Sequence, residues 1–302
     1  MVAVPEPSRS PFSLQSVIWT RGKGCGELAS TLDAGSLRVE GKLEEICRAE
    51  RADLLVTKRL TSFDLVSVAV PHEMDLEATT SIVAAVAGGP HSDLAAIVAR
   101  QLGAALDVPA ELLSAYDSEE SRIEARSSLD ALSILVDGMD SRLVQTERPV
   151  DLVDELDGGT LLVAGAPGGS WLQRQFFGPG RRLQNRAPAG TVVVRSSPLR
   201  AFHLLREPES YMSPMLGSGD ALRMLDFPVM PVAENGKLVG IVRRSALLLV
   251  GPGVNVGSIM EDPIAVTTDT TVDEIGEVAE ALGGAPVPVV DDDGFLVGVV
   301  GP

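Results

Sequence analysis

The residues best suited to chemistry lie between Thr160 and Arg182. Thr160-Leu-Leu-Val-Ala-Gly165 is a short apolar run closed by glycine, the pattern of a buried parallel strand. Ala166-Pro167-Gly168-Gly169-Ser170 then turns the chain. Ser170 can cap a helix expected from Trp171 to Arg186, which Gly178-Pro179-Gly180 interrupts. A strand, a glycine turn and a helix start leave backbone N–H groups unpaired, and glycine lets an anion approach them closely. Between Gly158 and Arg206 there is no Asp or Glu, yet Arg174, Arg181, Arg182, Arg186, Arg195, Arg200 and Arg206 all occur. The chain's formal charge is −17, so a carboxylate-free window with seven arginines stands out. It suits either a solvated basic helix face or a site for a nucleotide or other anion, because the guanidinium fork matches phosphate.

Such residues need a sheet to hold them. Ser81-Ile-Val-Ala-Ala-Val86 reads as a strand, Ala87-Gly-Gly-Pro-His91 as a loop, and Ser92 to Leu106 as an amphipathic helix capped by Ser92 or Asp93. A second strand is expected from Pro109 to Ala115, a second helix from Glu119 to Leu135 and a third strand from Arg142 to Thr146. A short helix from Val150 to Leu156 precedes the Thr160 strand, and Thr191-Val-Val-Val-Arg195 closes the set. Strands alternating with helices imply a parallel sheet covered on both faces. Ligands of such sheets bind at the carboxyl ends of strands, where chain direction switches. That places Gly88, Gly89, Gly165 and Gly168 around one crevice.

The segment from about Ser81 to Arg195 resembles a universal stress protein domain, a Rossmann-like α/β fold. The resemblance rests on Gly165, two residues, Gly168, nine residues and Gly178, the glycine spacing of that family's ATP-binding members. It implies that an adenine nucleotide such as ATP sits against Gly88, Gly89, Gly165, Gly168, Gly178 and Gly180, with Arg181 or Arg182 adding charge. Two positions depart from the family pattern: Ala87 stands where the first strand ends in aspartate, and Pro179 where Ser or Thr meets phosphate.

Residues 1–78 read as a shorter α/β segment. Strands are expected at Ser16–Thr20, Ala52–Val56 and Phe63–Val70, with a turn at Gly22–Gly26 and helical spacing from Leu37 to Glu50. The run Glu44 to Val56 resembles the same family's helix leading into its fourth strand, so this segment is expected to be a degenerate copy that pairs face to face as a built-in partner. Thr57-Lys-Arg-Leu-Thr61 stands where a glycine motif would follow, and no ligand is expected there.

After Ser196 the pattern changes. Phe227-Pro-Val-Met-Pro-Val232 and Lys237-Leu-Val-Gly-Ile-Val242 flank a tight Asn235-Gly236 turn. Ala285 to Val290, Asp291-Asp-Asp-Gly294 and Phe295 to Val300 repeat it with a period near 58 residues. The repeat resembles a pair of CBS (cystathionine β-synthase-type) domains, a Bateman module. The second copy carries the lead-in Val256-Gly-Ser-Ile-Met260, then Pro263 to Thr267 and a helix from Thr271 to Leu282. The first is shortened, and the second breaks off at Gly301-Pro302. Such pairs bind adenosine nucleotides between copies. The positions of that family's Ser/Thr and Asp contacts hold Arg243 and Ala246 here.

Beyond Arg244 there is no Lys or Arg, while ten acidic residues accumulate. This is a solvating acidic face or a surface for a basic partner protein. Asp291, Asp292 and Asp293 are accounted for by hairpin chemistry rather than by a metal. The acidic balance argues against nucleic acid. No run of some 18 apolar residues is present to enter a membrane, and Cys25 and Cys47 suit a reducing, cytoplasmic compartment. His72, His91 and His203 have no metal-ligand spacing, and no nucleophile–base set can be argued, so catalysis is not expected. The sequence thus predicts three parts: residues 1–78, a universal-stress-like domain over 79–197, and a CBS pair over 198–302. The expected function is a stress-related cytoplasmic regulator that binds an adenine nucleotide or other anion and forms a homodimer or higher homo-oligomer. The alternative is a ligand-free scaffold subunit that dimerises and docks on a larger complex.

Overall fold

A computed structural model describes residues 14–60, 63–147, 149–166, 187–207 and 211–301. Spatial contacts divide the chain into two units, Met1–Ser197 and Pro198–Pro302.

The first unit is built on one nine-stranded sheet in the order β2-β1-β3-β4-β9-β8-β5-β6-β7. Its strands are β1 (Val17–Trp19), β2 (Leu37–Arg38), β3 (Leu54–Val56), β4 (Ser67–His72), β5 (Ser81–Ala85), β6 (Ala110–Tyr116), β7 (Asp140–Gln145), β8 (Thr160–Gly165) and β9 (Thr191–Arg195). Every neighbouring pair is parallel except β4 and β9, which run antiparallel with Val70 opposite Val193. The sheet is therefore two parallel blocks sewn together at one seam. In the second block the chain runs outward from β5 through β6 to β7, then crosses to β8 and β9, a doubly wound order with its switch between β5 and β8. The first block repeats this order through β1, β2, β3 and β4, lacking a counterpart of β7 among the described residues. Strands β1–β4 thus join the same sheet edge to edge, rather than face to face as expected of the N-terminal segment, because β4 and β9 complete each other's backbone hydrogen bonds.

Among the described residues the α-helices of this unit are α1 (Cys25–Leu32), α2 (Leu43–Ala49), α3 (Pro90–Leu106) and α4 (Glu119–Leu135). Side chains alternate across the strands. Ile82, Ala84, Leu161, Val163, Val192 and Val194 join the core under α1, α3 and α4, while Val83, Ala85, Leu162 and Ala164 face a second core with Leu152 and Val153. Each fully buried Leu or Val stabilises the unit by roughly 1.5–3 kcal/mol. Gln101 on α3 ties the blocks by donating to the carbonyls of Leu32 (2.5 Å) and Leu14 (3.2 Å). α4 starts where Ser118 Oγ accepts the Ser121 N–H at 3.2 Å, a capping box that satisfies a first-turn donor with no partner inside the helix.

Three expectations are corrected here. The predicted turn at Gly22–Gly26 ends at Gly24, which caps α1 with φ 75°, and Cys25 already begins the helix. The helical run from Leu37 is split into β2 and α2, since Leu37 and Arg38 pair with β1. The cap of α3 is Gly89, with φ 81°, followed by Pro90, not Ser92 or Asp93. The helix expected over Trp171 to Arg186 lies outside the described residues.

The second unit contains α5 (Ala201–Leu204), α6 (Ser218–Met224), the hairpin β10 (Val229–Glu234) and β11 (Lys237–Arg243), and α7 (Arg244–Leu248). β12 (Val266–Thr267), α8 (Val272–Ala281), β13 (Val287–Val290) and β14 (Leu296–Val300) follow. The two copies exchange their lead-ins: Glu261, before the second copy, bridges to Ile241 on β11, and Arg206, before the first, bridges to Val299 on β14. Gly240 and Gly298 make room for these crossings, as a Cβ would fall 2.6 Å from the Glu261 carbonyl oxygen and 2.5 Å from that of Arg206.

Candidate functional site

In the first unit the exits of β5 and β8 lie side by side, Ala85 opposite Ala164. The loop after β5 holds two consecutive glycines with left-handed backbone, Gly88 (φ 84°) and Gly89 (φ 81°), a conformation side chains resist. Buried Ser92, on the first turn of α3, fastens this loop. Its Oγ accepts the Ala87 N–H (3.0 Å) and donates to the Gly88 carbonyl (3.1 Å). Ser114 Oγ donates to the Val86 carbonyl at 2.8 Å. These serines were missed from the sequence as site-forming groups, although a small polar residue within an apolar strand and helix face was the available signal.

A Cβ at Gly89 would meet nothing within 4 Å, so backbone there is open to a ligand. At Gly88 it would come 3.1 Å from Ser128 Oγ. Gly165 is buried, and a Cβ there would stand 2.9 Å from His91 Cβ and 3.0 Å from the His91 carbonyl oxygen. Glycine at that position allows β8 to press against α3. Gly168, Gly178, Gly180, Arg181 and Arg182 lie outside the described residues.

Arg195, at the end of β9, lies near enough to His91, in the first turn of α3, for its charge to act on the imidazole. The Arg195 guanidinium donates to the Phe63 carbonyl, and His91 Nδ1 accepts the Ser196 N–H at 3.1 Å. Burial, then the Arg195 charge, holds the His91 imidazole below its ordinary range, so it is an acceptor there.

In the second unit Arg243 Nε contacts both carboxylate oxygens of Glu261 at 3.0 and 3.1 Å, so the lead-in strand that crosses β11 also engages this arginine. Arg244, exposed at the start of α7, forms no ion pair among the described residues. The acidic hairpin is organised by Asp291, whose Oδ1 accepts the N–H groups of Asp293 (3.0 Å) and Phe295 (2.8 Å). Among the described residues no three His, Cys, Asp or Glu groups converge as a metal site, and no helix is long and apolar enough to cross a membrane.

Residues 256–301 match the CBS domain family. An uncharacterized protein of Methanocaldococcus jannaschii is 33% identical over 73 residues, which cover 23% of this chain. The chain spans 28% of the length of that curated relative. Among solved structures, the cytosolic domain of the Mg²⁺ channel MgtE in complex with ATP is 25% identical, over 34% of this chain and 45% of that one, with a TM-score of 0.31. CBSX2 in complex with AMP is 25% identical, over 34% and 89% of the two chains, with a TM-score of 0.30.

Proposed function

We propose that this protein is a regulator that responds to an adenine nucleotide, with a CBS pair over 198–302 attached to a universal-stress-like, doubly wound domain over 79–197. The single observation that carries the reading is the CBS match over residues 256–301, set in a unit whose two halves exchange lead-in strands. CBS domains are nucleotide-binding regulatory modules, which supports a nucleotide as the ligand class. The order β9-β8-β5-β6-β7 and the open backbone at Gly89 support a second point of contact, at the exit of β5. There Gly88 and Gly89 would face the ligand, and Gly168, Gly178, Gly180, Arg181 and Arg182 complete the proposed set.

Binding would act by favouring one arrangement of a two-state protein, because a ligand shifts only states that it distinguishes. Self-association, a protein partner at the acidic C-terminal face, a cytoplasmic stress-related role and the lack of catalysis belong to the same proposal. Calorimetric titration of the full chain with ATP, ADP, AMP and cyclic nucleotides tests it. Heat from at least one is expected; silence from all at millimolar concentration removes the reading.

The second reading is a ligand-free scaffold. The Arg243–Glu261 pair and the packing of Gly165 under His91 favour it, since both occupy groups that a nucleotide would use. Hydrodynamic mass together with silent titrations would establish it.

A further inference from the structure

The first block has its own switch point, between β1 and β3, equivalent to that between β5 and β8 in the second. Chain leaves β1 as Thr20-Arg21-Gly22-Lys23-Gly24 and leaves β3 as Thr57-Lys58-Arg59. The exits are adjacent: the Thr20 N–H donates to the Val56 carbonyl (3.0 Å), and Thr20 Oγ1 lies 3.1 Å from Thr57 Oγ1. Gly22 is what lets the two loops close on each other. A Cβ there would stand 2.7 Å from Cys25 Sγ and 3.0 Å from Lys58 Cβ.

This meeting of loops gathers Arg21, Lys23, Lys58 and Arg59, all exposed, in a chain of net charge −17. None of the four forms an ion pair among the described residues, whereas other cations of this block do, Arg38 with Glu40 and Lys42 with Glu45. Glu27, in the first turn of α1, forms no ion pair among the described residues. Lys58 is close enough to act on the buried Cys25 thiol, drawing its pKa down against the larger upward effect of burial. Four unpaired cations on two touching loops repel one another at a cost that a compact polyanion would relieve.

We propose that the exits of β1 and β3 form a second anion site, which takes a phosphorylated small molecule through Arg21, Lys23, Lys58 and Arg59. This revises the expectation that the N-terminal segment holds no ligand. Inorganic pyrophosphate is the probe, titrated calorimetrically into the full chain at low and moderate salt. Binding is expected, weakening with salt and falling about tenfold or more in Lys58→Gln/Arg59→Gln, as for lost charge-assisted bonds. Arg21→Gln/Lys23→Gln should weaken it likewise, while Arg122→Gln/Arg126→Gln, exposed on α4 and outside both proposed sites, should leave it unchanged. These side chains are exposed, and a thermal melt verifies that each variant folds. Absence of pyrophosphate binding, or binding indifferent to both N-terminal double variants, overturns the proposal. So does capture of single-stranded RNA in preference to pyrophosphate at moderate salt. Failure of the adenine-nucleotide reading leaves these outcomes untouched, since pyrophosphate carries no base.

Discussion

Leu238 and Leu296 occupy matching places about a local two-fold axis: the Leu238 N–H donates to the Gly294 carbonyl at 3.1 Å, and the Leu296 N–H donates to the Gly236 carbonyl at 2.9 Å. The two hairpins of the second unit therefore hold each other directly, through residues 58 positions apart in the chain. With the exchanged lead-ins, neither copy completes its sheet alone.

That reciprocity predicts matched losses. Gly240→Ala and Gly298→Ala should each destabilise the second unit by about 1–3 kcal/mol, as overpacking against a crossing backbone does. Gly276→Ala, in α8 with nothing within 4 Å of the new methyl, should instead stabilise it, by about 0.5–1 kcal/mol. Urea titrations of the three variants check this. Equal, negligible effects from all three would show that the crossings are loosely packed.

Ser92→Ala should loosen the loop before α3. It leaves the half-buried Ala87 N–H without its acceptor, which costs about 0.5–1.5 kcal/mol. Hydrogen exchange should quicken at Ala87 and Gly88 while β8 stays protected, and any nucleotide affinity at this exit should fall. Unchanged exchange at Ala87 would refute the fastening role.

Stability should fall as the solution becomes mildly acidic. His72 and His91 are both held below the ordinary histidine value of 6.5, first by burial. A histidine depressed in the folded state binds protons more readily when unfolded. Its contribution is therefore complete above the unfolded value and is lost as pH falls through and below it. The unfolding midpoint should thus drop between about pH 7 and 5, and His91→Gln should flatten that slope. Proton NMR titration of the two imidazoles gives the direct check.

The thiols should be inert in the native protein. Burial pushes Cys47 up to about 12, with Glu44 adding to it, and burial raises Cys25 as well. Thiolate is the reactive form, so iodoacetamide at pH 8 should label neither until denaturant is added. Rapid native labelling of Cys25 would mean that the loop around Gly22 opens.

The sequence was most legible where signals are local. Glu119–Leu135, Thr160–Gly165 and Thr191–Arg195 were predicted with the bounds observed, because capping and uniform apolar runs mark their ends. The hairpins were legible from Asn235-Gly236 and from the repeat. Leu37-Arg38 was not, since a two-residue exposed edge strand has no burial pattern to read. The β4–β9 seam was equally hidden: pairing of Val68 with Arg195 joins residues far apart in sequence, and nothing in either strand specifies its partner. At the candidate site, Gly88 and Gly89 announced a left-handed loop. The packing role of Gly165 depends on His91 lying opposite, which only three-dimensional structure reveals.

The seam also bears on assembly. By pairing with β9, β4 takes up the border that β9 would otherwise present to a foreign strand, and the sheet ends in two-residue β2 on one side and β7 on the other. At the β4–β9 seam the chain supplies its own neighbour. Among the described residues, the border of β7, the helices and the hairpin-bearing unit are the surfaces left for contacts between copies.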